Sequence, residues 1–174
     1  MEVDLRTTMR TFATGVTVVT TYVDGPEGRR HDAMTVNSLT SISLLPPLVS
    51  ISLRNTSAFL ADVLDSGVFA VSILDVGAAD LAGTFAAGRP VRTAALRSAC
   101  TTPGAVTGAL IIDSPGWLEC TVHRAVPLGD HTLVVGEVVA SGVQRRRPPL
   151  IFLHGDYHAL DTSPRHKPLL HATR

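Results

Sequence analysis

The segment from Ala33 to Leu48 (AMTVNSLTSISLLPPL) is the densest run of short hydrogen-bonding side chains in the chain. Small hydroxyl and amide residues on a strand that then turns leave backbone N–H and C=O groups within reach of a flat polar ligand, whose edge needs donors and acceptors more than charge. The same run can also be an edge strand and turn with no ligand. Farther on, Arg54, Asn55, Thr56 and Ser57 stand together where a helix is expected to begin. Free amides at a helix N-terminus, a hydroxyl and a guanidinium make a competent phosphate site, although plain N-capping needs only one of Asn55, Thr56 or Ser57. One expected strand joins the two features. Together they fit a nucleotide-like ligand whose flat polar part and phosphate lie about 20 Å apart at most.

Other reactive residues offer less. His154 and His158 would share a helical face, but Ile151, Phe152, Leu153 and Tyr157 around them read as strand, which argues against a metal pair. His31 and His123 read as surface or partly buried strand residues. His131 differs, because it opens a strand after Gly129 and Asp130, where a loop can hold it over a cleft. Cys100 and Cys120 lack close-spaced partners, so they read as buried or idle thiols rather than a zinc or redox site. No Gly-x-Ser-x-Gly elbow, Gly-rich phosphate loop or dinucleotide fingerprint occurs.

The elements that must position these residues follow from periodicity. Leu5, Met9 and Phe12 fit a short amphipathic helix. Eight of the ten residues from Thr14 to Val23 are Val or Thr, so that stretch is a strand; residues 24–28 turn, and a second strand runs from about Arg30 to Asn37. Leu48 to Leu53 reads as a strand with a wetter face at Ser50 and Ser52. A helix follows from Phe59 to Leu64 and stops at Gly67, then a strand from Val68 to Leu74 and a helix from Ala78 to Ala86. Residues 87–115 carry no clear pattern. Trp117–Val126 and Thr132–Val143 form a long hairpin, and Ile151–Tyr157 is read as one final strand. The count is six or seven strands and two or three short helices: mainly β, with closure into a small barrel expected as the way to remove edges.

Composition sets the outer bounds. With 174 residues the chain supports one core, expected over residues 1–162, with 163–174 a flexible tail. Fifteen basic residues balance fifteen acidic ones, which disfavours nucleic-acid or membrane binding; Arg145, Arg146 and Arg147 read as a solvated loop. The chain shows no apolar run of membrane-spanning length and no secretion signal, so a cytoplasmic location is expected. Charged residues make up only 17% against about 25% in typical domains, which predicts that part of the surface is buried in a homodimer.

Several blocks in register resemble the flavin reductase family, the reductase components of two-component flavin-dependent monooxygenases. They are Phe12-Ala13-Thr14-Gly15-Val16-Thr17-Val18-Val19-Thr20; Met34-Thr35-Val36-Asn37-Ser38 with Ser41-Ile42-Ser43 and Pro46-Pro47-Leu48; Gly67 to Leu74; Leu81-Ala82 with Phe85-Ala86; Gly129-Asp130-His131 with Val135-Gly136-Glu137-Val138; and Pro149-Leu150 with Gly155-Asp156-Tyr157. Two positions depart from the family's pattern: Asp32-Ala33, where Gly is common, and Leu45, where an acidic residue is common.

The resemblance implies an FMN-binding split β-barrel that dimerises and binds FMN or FAD near the subunit interface, with no metal. Met34, Thr35, Val36, Asn37 and Ser38 would line the isoalloxazine; Ser52, Leu53, Arg54 and Ser57 would approach the ribityl phosphate; Phe85 and Tyr157 would pack beside the ligand. His131 would lie where the nicotinamide of NADH, or of NADPH, enters. The implied activity is an oxidoreductase of the EC 1.5.1 type, which passes hydride from NADH to flavin and supplies reduced flavin to a separate monooxygenase. Two rivals are a flavin-retaining oxidase or monooxygenase on the same barrel and a non-enzymatic flavin-binding protein.

Overall fold

The computed structural model describes residues 3–160; the expected tail at 163–174 lies outside them. Helix α1 (Leu5–Met9) precedes strands β1 (Thr14–Gly15), β2 (Thr17–Gly25), β3 (Gly28–Val36), β4 (Thr40–Leu44) and β5 (Pro47–Arg54). Then come α2 (Ala58–Ser66), β6 (Val68–Ile73), a 3-10 turn (Val76–Ala78), α3 (Ala79–Ala86) and α4 (Arg89–Ser98). Strands β7 (Thr101–Pro103), β8 (Leu110–Ile112), β9 (Gly116–Leu128), β10 (His131–Val143), β11 (Leu150–Leu153) and β12 (Asp156–Ala159) complete the fold.

Seven strands form one antiparallel sheet in the order β3-β2-β6-β9-β10-β5-β4. The expected closure is not realised: β3 and β4 remain the outer strands of an open ladder. The sheet nevertheless curls. Val36 of β3 and Ile51 and Leu53 of β5, five places along the ladder, share one core with Phe59, Leu60 and Val63 of α2. Successive strand residues face opposite sides. Val19 therefore enters that core while Val18 enters a second one, beneath α3, α4 and β11. With both faces covered, Thr17–Thr21 is buried throughout. Its hydroxyls are satisfied locally: Thr17 Oγ1 donates to Val36 O and Thr21 Oγ1 to Val68 O, both at 2.8 Å.

The structure departs from the periodicity reading in several places. Helix α4 lies in the stretch without a clear pattern because its inward face carries Arg92, 7% exposed, which a hydropathy pattern scores as surface. Arg92 can be buried because Asp32, 0% exposed, accepts from its Nε and Nη2 at 3.3 and 3.0 Å. Arg89 also donates to Asp32, at 2.9 Å, and to Asp62 of α2, whose carboxylate Arg30 reaches too. The unusual Asp32 is thus the hub that fastens α4 to β3.

The final segment is a hairpin, not one strand: β11 pairs with β12, and His154 (φ 57°) and Gly155 (φ 98°) make the turn. A two-residue hairpin turn requires positive φ at its centre, and histidine is among the side chains that tolerate it. On β5, Ser50 is 3% exposed because β4 and β10 flank it, so the expected wetter face survives only at half-buried Ser52. Arg145 is not simply solvated either: it donates to Asp113 at 2.7 Å, and Arg147 lies 3.7 Å from Asp75.

Candidate active site

The curl brings the two ends of the sheet together, and the candidate site lies at that seam. Ser38, just beyond β3, donates to the carbonyl of Ser52 on β5 at 3.2 Å and accepts from its N–H at 2.9 Å. One hydroxyl therefore bridges strands that no ladder joins. Around it opens a cleft of about 1000 Å3 lined by Met34, Thr35, Val36, Asn37, Ser38, Ser52, Leu53, Arg54, Ser57 and His131, with Leu5, Arg6 and Met9 of α1 at its rim. Ten of the twelve residues singled out from the sequence meet there.

The other two lie elsewhere. Phe85 is 0% exposed in the core beneath α3 and lines no described cavity, so it can support the site only through the elements above it. Tyr157 lines a smaller hollow of about 190 Å3, which shares Thr35 and Asn37 with the cleft. Residue type could not distinguish a buried aromatic from a cleft aromatic.

The polar groups divide into those that build the cleft and those left to a ligand. Thr35 Oγ1 donates to Ala82 O at 2.7 Å, which ties the cleft wall to α3, and Ser38 is spent on Ser52. These hydroxyls position backbone rather than offer themselves. Strand β3 is an outer strand, so half of its N–H and C=O groups have no ladder partner; these and exposed Asn37 can meet the edge of a flat heterocycle. At the other end, Ser57 is the N-cap of α2 but makes no side-chain cap bond. Its hydroxyl and the first amides of the helix, with no acidic residue in the first turn, are left for an anion beside Arg54. Capping alone therefore does not account for Ser57.

His131 faces Arg54 across the β10–β5 ladder. Its Nδ1 lies 2.8 Å from Asp130 Oδ1. The hydrogen bond from His131 is the main cause that holds the Asp130 carboxyl below the usual range, reinforced by the nearby ring and by Arg54. An ionised carboxylate can only accept, so Nδ1 is the donor and Nε2, which has no partner among the described residues, is the ring nitrogen left for a ligand. Beyond these, the reactive residues are quiet. Cys120 is buried, and burial pushes its thiol up to about 12, whereas Cys100 is exposed. His158 contacts Leu153 O at 3.1 Å. No helix among the described residues is long and apolar enough to cross a membrane.

The residues present thus fit a ligand with a flat polar ring and a phosphate, and comparison with known proteins agrees. The family model for the flavin reductase like domain matches residues 9–161. The chain is 38% identical over 157 residues to an NADH-dependent FAD reductase of Streptomyces globisporus, covering 89% of this chain and 84% of that protein. It is 35% identical over 149 residues to the reductase component of 4-hydroxyphenylacetate 3-monooxygenase of Thermus thermophilus, covering 86% and 90%. Among solved structures it is similar to the Streptomyces globisporus NADH:FAD oxidoreductase SgcE6 in complex with NAD and FAD fragments, with a TM-score of 0.82, 33% identity, and coverage of 94% and 93%. By sequence and by fold, the chain belongs to the flavin reductase-like family.

Proposed function

We propose that the protein is an NADH-dependent flavin reductase that passes hydride to FMN or FAD and supplies the reduced flavin to a separate monooxygenase. The observation that carries this reading is the convergence of Met34–Ser38, Ser52–Arg54, Ser57 and His131 on one cleft. Names of relatives support it: one is an NADH-dependent FAD reductase and another a monooxygenase reductase component. When both ligands are bound, the nicotinamide supplies hydride at C4 and the flavin accepts it at N5.

The chain's own task is placement. The β3 edge and Asn37 receive the ring, Arg54, Ser57 and the α2 amides hold the phosphate, and His131 Nε2 orients the nicotinamide. Holding two reactants at reacting distance is worth roughly 7–11 kcal/mol of a bimolecular barrier, and no covalent catalyst is needed. A cleft with no long phosphate loop suits a flavin that leaves after reduction. The activity so proposed is of the EC 1.5.1 type, and the NADH-dependent flavin reductases among the relatives support it.

The assembly follows the same reading. The curled, open sheet supports a split barrel, and Leu44, the last residue of the outer strand β4, and Leu45 just after it, 89% and 91% exposed, support a homodimer. The test of function is absorbance at the NADH band with FMN, FAD or riboflavin and with NADH or NADPH in turn. Oxidation that requires free flavin is expected; no oxidation with any pair overturns the reading.

A further inference from the structure

Asn55 lies between two cleft residues, Arg54 and Ser57, yet does not line the cleft. Every polar group it could offer, apart from its carbonyl, is directed at the hairpin that carries His131. Its backbone N–H donates to Asp130 O at 3.0 Å. Its side-chain Nδ2 donates to Gly129 O at 3.0 Å, and its Oδ1 accepts from Thr132 Oγ1 at 2.8 Å. Three hydrogen bonds therefore link one residue to positions 129, 130 and 132, which bracket His131.

An exposed asparagine has no need of these partners, since water would satisfy it. The hairpin does need a tie. Gly129 and Asp130 are exposed at its tip, and His131 is the first residue of β10, where a strand frays. Asp130 orients the His131 ring about Nδ1, but the Asp130 side chain is itself 90% exposed and has no further anchor among the described residues. Asn55 fixes the backbone beneath both.

We propose that Asn55 is a positioning residue for the reductase reaction: it clasps the Gly129–Thr132 hairpin to the Arg54–Ser57 turn and so sets where His131 stands relative to the phosphate end of the cleft. The inference rests on the function proposed above and on the place of His131 within it. One side chain then registers the nicotinamide-facing group against the flavin-facing group. Asn55 acts only through His131, so its removal should be felt by NADH and not by flavin.

The test is steady-state NADH oxidation, with flavin affinity measured separately by fluorescence quenching, for the wild type, Asn55→Ala, His131→Ala and the double variant. Asn55→Ala is expected to raise KM for NADH roughly fivefold, the scale of one or two lost hydrogen bonds, with kcat and flavin Kd within about twofold. In the His131→Ala background the same substitution should add nothing. Thr132→Val removes a single bond of the clasp and should give a smaller rise in the same direction; it carries the test if Asn55→Ala does not fold. An unchanged KM for NADH in the folded clasp variants, or an undiminished effect when His131 is already gone, overturns the proposal while leaving the reductase reading intact. A wild type that oxidises no NADH overturns the reading and the proposal with it.

Discussion

At the scale of single residues, position in the fold decided which polar groups are available to a ligand. Thr35, Ser38 and Ser57 have similar hydroxyls, but Thr35 is bonded to Ala82 and Ser38 to Ser52, while Ser57 makes no cap bond. His131 has one ring nitrogen committed to Asp130 and the other without a partner among the described residues. Replacing it with alanine removes that second nitrogen without touching Arg54, Ser57 or the β3 edge. His131→Ala is therefore expected to raise KM for NADH several-fold while flavin Kd stays within about twofold; an unchanged KM for NADH in steady-state assays would remove His131 from the nicotinamide site.

Two contacts between elements carry consequences for stability. Asp32 joins β3 to α4 through Arg92, and both are buried. Asp32→Asn leaves the Arg92 charge buried without its counter-ion, a change that costs roughly 3–5 kcal/mol; a thermal or denaturant melt should show the loss, and an unchanged midpoint would mean that α4 is held by other contacts. On the β2–β3 hairpin, His31 meets the Tyr22 ring edge-on at 5.7 Å, and its Nδ1 is buried without a partner. Burial first, then the Arg29 charge, hold its pKa below the ordinary 6.5, with Asp24 opposing. A base with a depressed folded pKa is protonated more readily in the unfolded chain, so stability falls as pH drops through 6.5 and levels off below the folded value. His31→Gln should narrow the difference in Tm between about pH 7.5 and pH 5.5 relative to wild type; an identical difference would show that other groups set it.

At the scale of the whole molecule, the low charge content and the exposed Leu44 and Leu45 both point to a surface that a second copy covers. Light scattering at micromolar concentration should give twice the chain mass of 18.4 kDa, and Leu44→Asp with Leu45→Asp should shift it toward the single-chain value without loss of the β signal in circular dichroism. A wild-type mass of 18.4 kDa would reject the dimer. The sequence by itself determined what depends on neighbours along the chain. Val and Thr runs made β2, the spacing of Phe59, Leu60 and Val63 made α2, Gly67 (φ 67°) ended it, and the cleft residues could be named from their blocks. Only the tertiary structure decided what depends on distant segments. It set the curl that brings Ser38 to Ser52, the burial of Phe85, the pairing that lets Arg92 face inward on α4, and the clasp from Asn55 to the His131 hairpin, which crosses 74 positions of sequence. Local patterns report the average environment of a residue type, whereas a buried charge or a spent hydroxyl is the work of one particular partner, and the fold alone supplies that partner.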